Sequence, residues 1–550
     1  MDDQTPLTAR SIGMSRREWL TLSGTALAAG TVLGHPAVGH AQTPKRGGAL
    51  NLRLWDPPHF DPYLTISYKT HIPYTFTHSR LIKHKAGPGV QPGTFPLEGD
   101  LAESWTQPSP NVYVFKLRRG VRWHNKAPVN GRELTADDVV YSIERFKTVT
   151  GNANAYMLAS LEKVEAPDKY TVRMTLKEPY AWFLDILANP MAVCIIAKET
   201  VDKFGDLKKP ESVVGTGPWM LDSYRPNIGM TLVRNPGYFV QGLPNIDRIE
   251  AFVDEDKASR IAAFITGKYD LGSEFPGTID RVDWEVVKKA RSNLTTREFP
   301  SNVMNHVYMR TDKAPFSDVR VRRAMSLAVD RKAMIDATYE GAGQLNPPVP
   351  AALKEWSLPM EQLGEGAIYY KADRAAAKKL LAEAGHPNGF SAAMDFTTYG
   401  SNVLVDQAQL IMKDLKALGI DVKLNTKEYG AYISTTFYGK YDSMAYGPQT
   451  PFLEPDNFLY GQYYPGELKN QSHINDPVLA DMLVQQRRAL DPAKRRQVIH
   501  DIQRHLAKQQ YYVQNASQIY MAAWTPALKN YGPNLGYDYG GRLMAAWLDR

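Results

Sequence analysis

The chain has 550 residues, too many for one hydrophobic core, and should divide into two or three domains. Apolar residues at 43% and charged residues at 22% describe a water-soluble globular protein, not a disordered or fibrous one. The net charge of +7 is spread along the chain with no basic run and no basic-aromatic repeat, which argues against nucleic acid as a partner.

Taken in order, residues 1–41 read as a targeting segment. Ser15-Arg16-Arg17-Glu18-Trp19-Leu20 resembles a twin-arginine motif, a modest apolar run follows at 20–33, and Gly39-His40-Ala41 supplies small residues for cleavage. The run is too short to span a bilayer, and the segment has no cysteine to carry a lipid. Its three basic and three acidic residues cancel, so removal leaves the charge at +7. No later stretch is apolar for the roughly 18 residues a membrane helix needs, so no membrane insertion is expected after cleavage.

Residues 49–54 read as a first strand running into the loop Trp55-Asp56-Pro57-Pro58-His59-Phe60-Asp61-Pro62, then a helical stretch to about His84 and a Gly/Pro loop at 87–99. Over 112–117 the chain alternates, with Tyr113, Phe115 and Leu117 on one side, which predicts a half-buried strand. Arg119-Gly120 turns it into a second short strand at 121–124. Thr135 and Asp138 form a capping-box pattern, and Val139, Ile143 and Phe146 follow at helical spacing, so a helix begins near Ala136. Another alternating strand lies at 170–176. Gly215-Thr216-Gly217-Pro218-Trp219 is a special turn; without a following Lys-Ser/Thr it carries no phosphate-loop reading.

Helices are predicted at 257–266, from Pro315 through Asp330-Arg331, at 373–385, 405–418, 478–490 and 493–508, with strands at 392–396 and 420–424 and a strand-like aromatic tail from Tyr511. The basic residues of the 315–331 helix read as a solvated face. Alternating strands and helices argue for α/β packing with mostly parallel sheet.

The chemistry-bearing residues point away from catalysis. The lone Cys194 excludes an internal disulfide and a four-cysteine metal site, and within its apolar run it reads as a small buried hydrophobe. There is no Gly-x-Ser-x-Gly, no His-Glu-x-x-His, no Walker loop and no paired Cys-x-x-Cys. His59, His71, His78 and His84 are spaced poorly for a metal on one helix face. No catalytic residue, metal or cofactor is expected. The 30 tyrosines and 10 tryptophans suit a cleft for a polar organic ligand, though most will be core.

Three segments carry a family resemblance. Leu117 to His124, then Pro128-Val129, then Thr135 to Ser142 resembles the signature Leu-Arg-x-Gly-Val-x-Trp-His, Pro-Val, Thr-Ala-x-Asp-Val-x-Tyr-Ser of the bacterial extracellular solute-binding proteins of family 5, with Asn125-Lys126 in place of the usual Asp-Gly. Gly215 to Trp219 followed by Arg234-Asn235-Pro236 and Tyr238, and Pro315 to Ala324 with Asp330-Arg331, match the same family in order; where it often has Asn in the strand before Pro315, this chain has Arg310.

The resemblance implies an α/β, two-lobed periplasmic binding protein (type II, cluster C-like) with an additional inserted domain. Lobe I would be 46–80, 200–300 and 516–550, the insertion 81–199 and lobe II 301–515, with crossings near 300 and 515 as the hinge. It implies a monomer that captures a peptide-like or other small organic ligand in the interlobe cleft and delivers it to an ABC permease in the inner membrane. A cofactor-dependent periplasmic enzyme and a sensory adaptor remain alternatives. The implied ligand-binding residues are Trp55, Asp56, His59, Trp219, Arg310, Tyr399, Tyr446, Gln449, Thr450 and Phe452. In peptide-binding members an aspartate after Gly-Trp pairs with the peptide's free amino group; counting back from Glu454-Pro455-Asp456-Asn457-Phe458, this chain has Pro451 there and Pro448 for the tryptophan. Peptides with a free amino terminus are therefore expected to bind poorly unless Asp56 or Glu454 substitutes.

Overall fold

The computed structural model describes residues 43–274, 277–398, 402–449 and 451–550; the targeting segment read at 1–41 lies outside them. The chain forms an α/β protein of two lobes. In the first lobe, strand Ala49–Leu54 pairs in parallel with Arg248–Val253, and Gly229–Arg234 and Trp219–Arg225 extend the sheet antiparallel. A second, wholly antiparallel sheet runs in the order Ala102–Ser109, Val112–Leu117, Thr171–Leu176, Leu161–Asp168.

The alternation at 112–117 produces the expected inward face, with Tyr113, Phe115 and Leu117 buried and Lys116 exposed. The expected second strand at 121–124 reduces to one bridge, Arg122 to Glu133. Helix Ala136–Thr148 starts where the capping pattern places it. The Thr135 N–H donates to Asp138 at 2.9 Å, and Val139, Ile143 and Phe146 are fully buried. The helix expected up to His84 ends at Thr77, and Ile82–His84 pairs with Leu97–Gly99.

Asp61 fastens these parts together. Fully buried, it takes the Arg145 guanidinium at 2.7 Å, the Leu207 N–H at 3.0 Å and the Tyr63 N–H at 2.9 Å. The Gly215–Trp219 turn is pressed onto the end of helix Tyr68–Thr77. A Cβ at Gly217 would lie 2.5 Å from the Thr77 carbonyl carbon, and one at Gly215 2.0 Å from the Thr77 oxygen, so no larger residue fits.

The second lobe is built on a five-stranded sheet in the order Asp421–Thr426, Ser391–Phe396, Met444–Pro448, Asn305–Met309, Tyr512–Gln514. Here the expectation of mostly parallel sheet fails. Strand 391–396 is parallel to its two neighbours, but 305–309 is antiparallel to both of its own. The cause is connectivity: 305–309 carries the chain into this lobe and 512–514 carries it out at the same place, so the two must run opposite ways. Beside them, 295–300 pairs antiparallel with Ser517–Trp524. Between the two ladders the Ser301 N–H reaches the Gln518 carbonyl at 2.9 Å and the Asn515 N–H reaches the Asn305 carbonyl at 3.0 Å.

The basic segment after Pro315 also departs from expectation. It forms two helices, Val319–Ala328 and Arg331–Tyr339, with Asp330 capping the second. Arg320 is solvated and pairs with Asp318, but Arg322 and Arg331 are buried. Arg322 donates to the carbonyls of Gln509 at 3.0 Å and Phe316 at 2.9 Å, and Arg331 to those of Gln514 at 2.7 Å and Ser326 at 2.9 Å. The Gln509 and Ser326 carbonyls lie in the last turns of their helices, where backbone N–H partners run out, and a guanidinium is the donor with enough N–H groups to reach several acceptors at once.

Residues 180–182 meet the helices Pro477–Arg488 and Pro492–Gln509 through buried groups. The Tyr180 hydroxyl donates to Asp456 at 3.0 Å, the Trp182 indole N–H to Gln486 at 2.8 Å, and Arg495 to the Ala181 carbonyl at 2.7 Å.

Removing the Asp61 carboxylate leaves the Arg145 charge buried without its partner. Asp61→Ala should cost roughly 3–5 kcal/mol of stability in urea unfolding, whereas Lys332→Ala, on the solvated face of its helix, should leave the unfolding midpoint nearly unchanged.

Candidate functional site

In open α/β sheets ligands bind outside the carboxyl ends of the parallel strands, where the backbone N–H groups and side chains of the following loops converge. In the second lobe that edge is marked by Phe396, Thr426, Pro448 and Gln514, and it is also the edge at which the two crossings leave for the first lobe. In the first lobe the parallel strands end at Leu54 and Val253.

The second-lobe edge carries neutral hydrogen-bonding groups. The Asn305 amide donates to Gln407 Oε1 at 2.8 Å, and the Tyr446 hydroxyl donates to the same oxygen at 2.6 Å. Gln407 Nε2 donates to Thr338 at 3.2 Å, and Asn515 reaches the Tyr446 hydroxyl at 3.4 Å. On the opposite face of the sheet, His306 Nε2 and Gln449 Oε1 pair at 2.9 Å. Burial holds the His306 imidazole neutral, with its pKa pushed down to about 4.

The first-lobe edge is aromatic and charged, with its charges committed internally. The Arg53 guanidinium lies 4.1 Å over the Trp55 ring and pairs with Glu255 at 3.3 Å. Tyr68 meets Trp55 edge-on at 5.3 Å and stacks on Tyr537 at 5.3 Å. Asp56 accepts from the Tyr224 hydroxyl at 2.7 Å and the Asn227 N–H at 3.1 Å.

Of the residues singled out from sequence, Trp55 and Asp56 lie at the first edge and Tyr446, Gln449 and Phe452 at or beside the second. Three others sit elsewhere. Trp219 is fully buried, its indole N–H on the Ile246 carbonyl at 3.1 Å, because the Gly215–Gly217 turn packs inward. Arg310 follows the far end of strand 305–309, where it pairs with Asp312 at 2.6 Å and donates to the Tyr441 carbonyl at 2.9 Å. His59 serves its own turn, its Nδ1 accepting from the Asp61 N–H at 3.2 Å. Tyr399 and Thr450 lie outside the described residues.

The two carboxylates considered as substitutes at position 451 serve the fold. Asp56 is held as above. Glu454 caps helix Pro455–Tyr463 by accepting from the Asn457 N–H at 3.1 Å, and burial pushes its carboxyl up to about 8. Sequence reading missed Asn305, Gln407 and Asn515, which are far apart in the chain and carry no motif.

Cys194 is buried, and its thiol is pushed up to about 12 by desolvation, in keeping with a packing role. His71, His78 and His84 are buried separately, and among the described residues no group of three or more His, Cys, Asp or Glu side chains is placed to hold a metal. No helix among the described residues is long and apolar enough to cross a membrane.

The model of the bacterial extracellular solute-binding proteins, family 5, matches residues 96–470. The chain belongs to this family. Among curated family 5 relatives, it is 31% identical to heme-binding protein A of Haemophilus influenzae over 408 residues, 70% of each chain. It is 30% identical to the dipeptide-binding protein of Escherichia coli over 431 residues, 73% of this chain and 76% of that one. Among solved structures, the ABC transporter-associated periplasmic binding protein DppA from Helicobacter pylori, in complex with peptide STSA, superposes with a TM-score of 0.74 at 25% identity, covering 92% of this chain and 99% of that one. HbpA2 from Haemophilus parasuis gives a TM-score of 0.77 at 25% identity, covering 92% and 100%.

The buried histidines make stability depend on pH. His84, His124 and His306 are each lowered to about 4 by burial, below the value of about 6.5 of an unfolded chain. As pH falls through 6.5 the unfolded state takes up protons that the folded state refuses, so stability is full above that pH and declines from there toward 4. The histidine contribution to stability should be full above about pH 7 and be lost between about 6.5 and 5, so the urea midpoint of His306→Asn relative to the unsubstituted protein should improve as the pH is lowered through that range.

Proposed function

We propose that this chain is the periplasmic ligand-capturing component of an ABC importer, which takes a peptide-like or other small organic solute into the cleft between its lobes and presents it to a permease. The observation that carries this reading is the pair of carboxyl edges, one from each lobe, in a fold whose sheets are connected by two adjacent crossings. The relatives support the solute class: one is named for dipeptides, another for heme, and a structural neighbour holds the peptide STSA.

In this reading lobe I comprises 46–80, 200–300 and 516–550, the insertion 81–199 and lobe II 301–515, and the hinge lies at 301–304 and 515–516. Closure is a population shift toward a state bridged by ligand, and burial between the lobes supplies affinity without any bond being made or broken. The protein works as a monomer, without cofactor or metal. Arg16 and Arg17 direct its export as a folded chain, and it is freed from the membrane by cleavage with no lipid attached.

Two experiments bear on this. Small molecules extracted from the natively purified protein and added back should raise Tm, compact the molecule in small-angle scattering and return chemically unchanged by mass spectrometry. At a hundredfold the Kd the gain is about 2.7 kcal/mol. Steady conversion to a product would replace importer by enzyme. Separately, the Arg16→Lys/Arg17→Lys pair should abolish mature protein in the periplasmic fraction; undiminished export would remove the twin-arginine route.

A further inference from the structure

Lys469 lies in the loop between helices Pro455–Tyr463 and Pro477–Arg488, where two distant parts of the chain meet. Its ammonium stands 4.6 Å from the centre of the Phe452 ring and 5.3 Å from that of Tyr156, whose hydroxyl is 3.4 Å away. Phe452 follows strand Met444–Pro448 beside the second-lobe edge, whereas Tyr156 belongs to the 81–199 segment. The place is open to solvent, since Tyr156 is 47% exposed and Leu468 76%. Tyr156 also lines a cavity of about 90 Å³ with Ser160, Tyr180, Asn457 and Arg487, several times the roughly 10–15 Å³ that one water needs.

Arg487, in the cavity wall, pairs with Asp456 at 2.8 Å, and its neighbour Arg488 pairs with Glu178 at 2.7 Å. Lys469 has no such partner: among the described residues no carboxylate lies within 4 Å of its Nζ. Burial lowers the ammonium to about 8, so it is still charged at neutral pH. The two carboxylates that face it leave it unmatched. Burial pushes Glu454 up to about 8, which keeps it protonated at pH 7, and Glu467 is exposed beyond ion-pair distance. Three N–H groups therefore share one long bond to Tyr156. In the cavity the Ser160 hydroxyl is buried with no partner in the protein. Arg487 Nη1 donates to nothing among the described residues, its Nε and Nη2 being held by Asp456. The unanswered groups can all donate, and two of them carry positive charge. A carboxylate brings two accepting oxygens and a negative charge; an amide or hydroxyl brings no charge, and an ammonium brings the wrong one.

We propose that Lys469 and the Tyr156 hydroxyl form an anion seat, and that the solute captured by this protein carries a carboxylate that occupies it. This rests on the capture reading above and names the charge of the ligand. The bound carboxylate bridges the 81–199 segment and the second lobe, and so favours the arrangement in which Tyr156 and Lys469 face each other. The seat depends on pH. Its ammonium is full below about 8 and lost above it, and Glu454 ionises over the same range and competes for it, so both groups weaken the seat as pH rises. Tyr156, raised by burial, keeps its proton throughout.

The test uses N-acetyl-alanyl-alanine, its carboxamide and inorganic phosphate on the full mature protein, by calorimetry and thermal shift. At pH 7 the acid should bind at least about tenfold more tightly than the carboxamide, an advantage that shrinks with salt. Its affinity should fall by about tenfold between pH 7 and 9. Lys469→Gln should bring the acid down to the affinity of the carboxamide while leaving the ligand-free Tm unchanged. Lys469→Arg, which keeps the charge, should retain most of the advantage, and Glu467→Gln, which removes a competing carboxylate, should increase it. Equal affinities of acid and carboxamide, or undiminished binding of the acid to Lys469→Gln, overturns the seat. Tighter binding of phosphate than of the acid overturns the proposal in favour of a phosphate-bearing solute. The two readings fail differently: extracted solute that compacts Lys469→Gln as fully as the unsubstituted protein sinks the seat and keeps the importer, whereas no compaction of either by the extract sinks the importer.

Discussion

Two lengths of chain run side by side from one lobe to the other, and the rest of the architecture follows from their being antiparallel. The Ser301–Gln518 and Asn515–Asn305 backbone bonds hold them in register on either side of the gap between ladders. Because one strand enters the second lobe where the other leaves, the sheet there must be mixed. It also follows that the carboxyl ends of strands 391–396 and 444–448 gather at the crossing edge and not on the outside of the molecule. Any group seated at that edge lies beside the two crossing segments.

Charge is handled in a consistent way. Asp61 with Arg145, Asp456 with Arg487, and Asp270 with Arg550 are carboxylates buried inside the body, each matched to a guanidinium. Arg322 and Arg331 are matched instead to backbone carbonyl groups, and burial lowers both toward about 10 without removing the charge at neutral pH. The ion pairs secure the scaffold.

The local elements were legible in the sequence because their causes are local. The alternation from Val112 to Leu117 and the Thr135–Asp138 pattern need only neighbours within a few residues, and both elements formed as expected. The arginines at 322 and 331 misled because helical spacing of charge speaks of solvent, while their acceptors, Gln509 and Gln514, lie some 180 residues away. Trp219 misled in the opposite direction: an aromatic after a Gly-rich turn suggests a cleft wall, but the glycines let the turn pack against Thr77 and carry the ring into the core. The amides of Asn305, Gln407 and Asn515 had no signal at all, since only the sheet order brings them together.

Cys194 has a consequence for how the protein meets its compartment. An oxidising space selects against reactive thiols, and disulfide exchange requires the thiolate. A thiol buried against the Tyr63 core and raised to about 12 supplies almost none at neutral pH, so the chain is blind to the thiol chemistry around it. The same silence makes the native protein a clean background for labelling. A cysteine introduced on each lobe would be the only one to take a dye, and the distance between the two dyes would follow the opening and closing of the cleft in a single molecule.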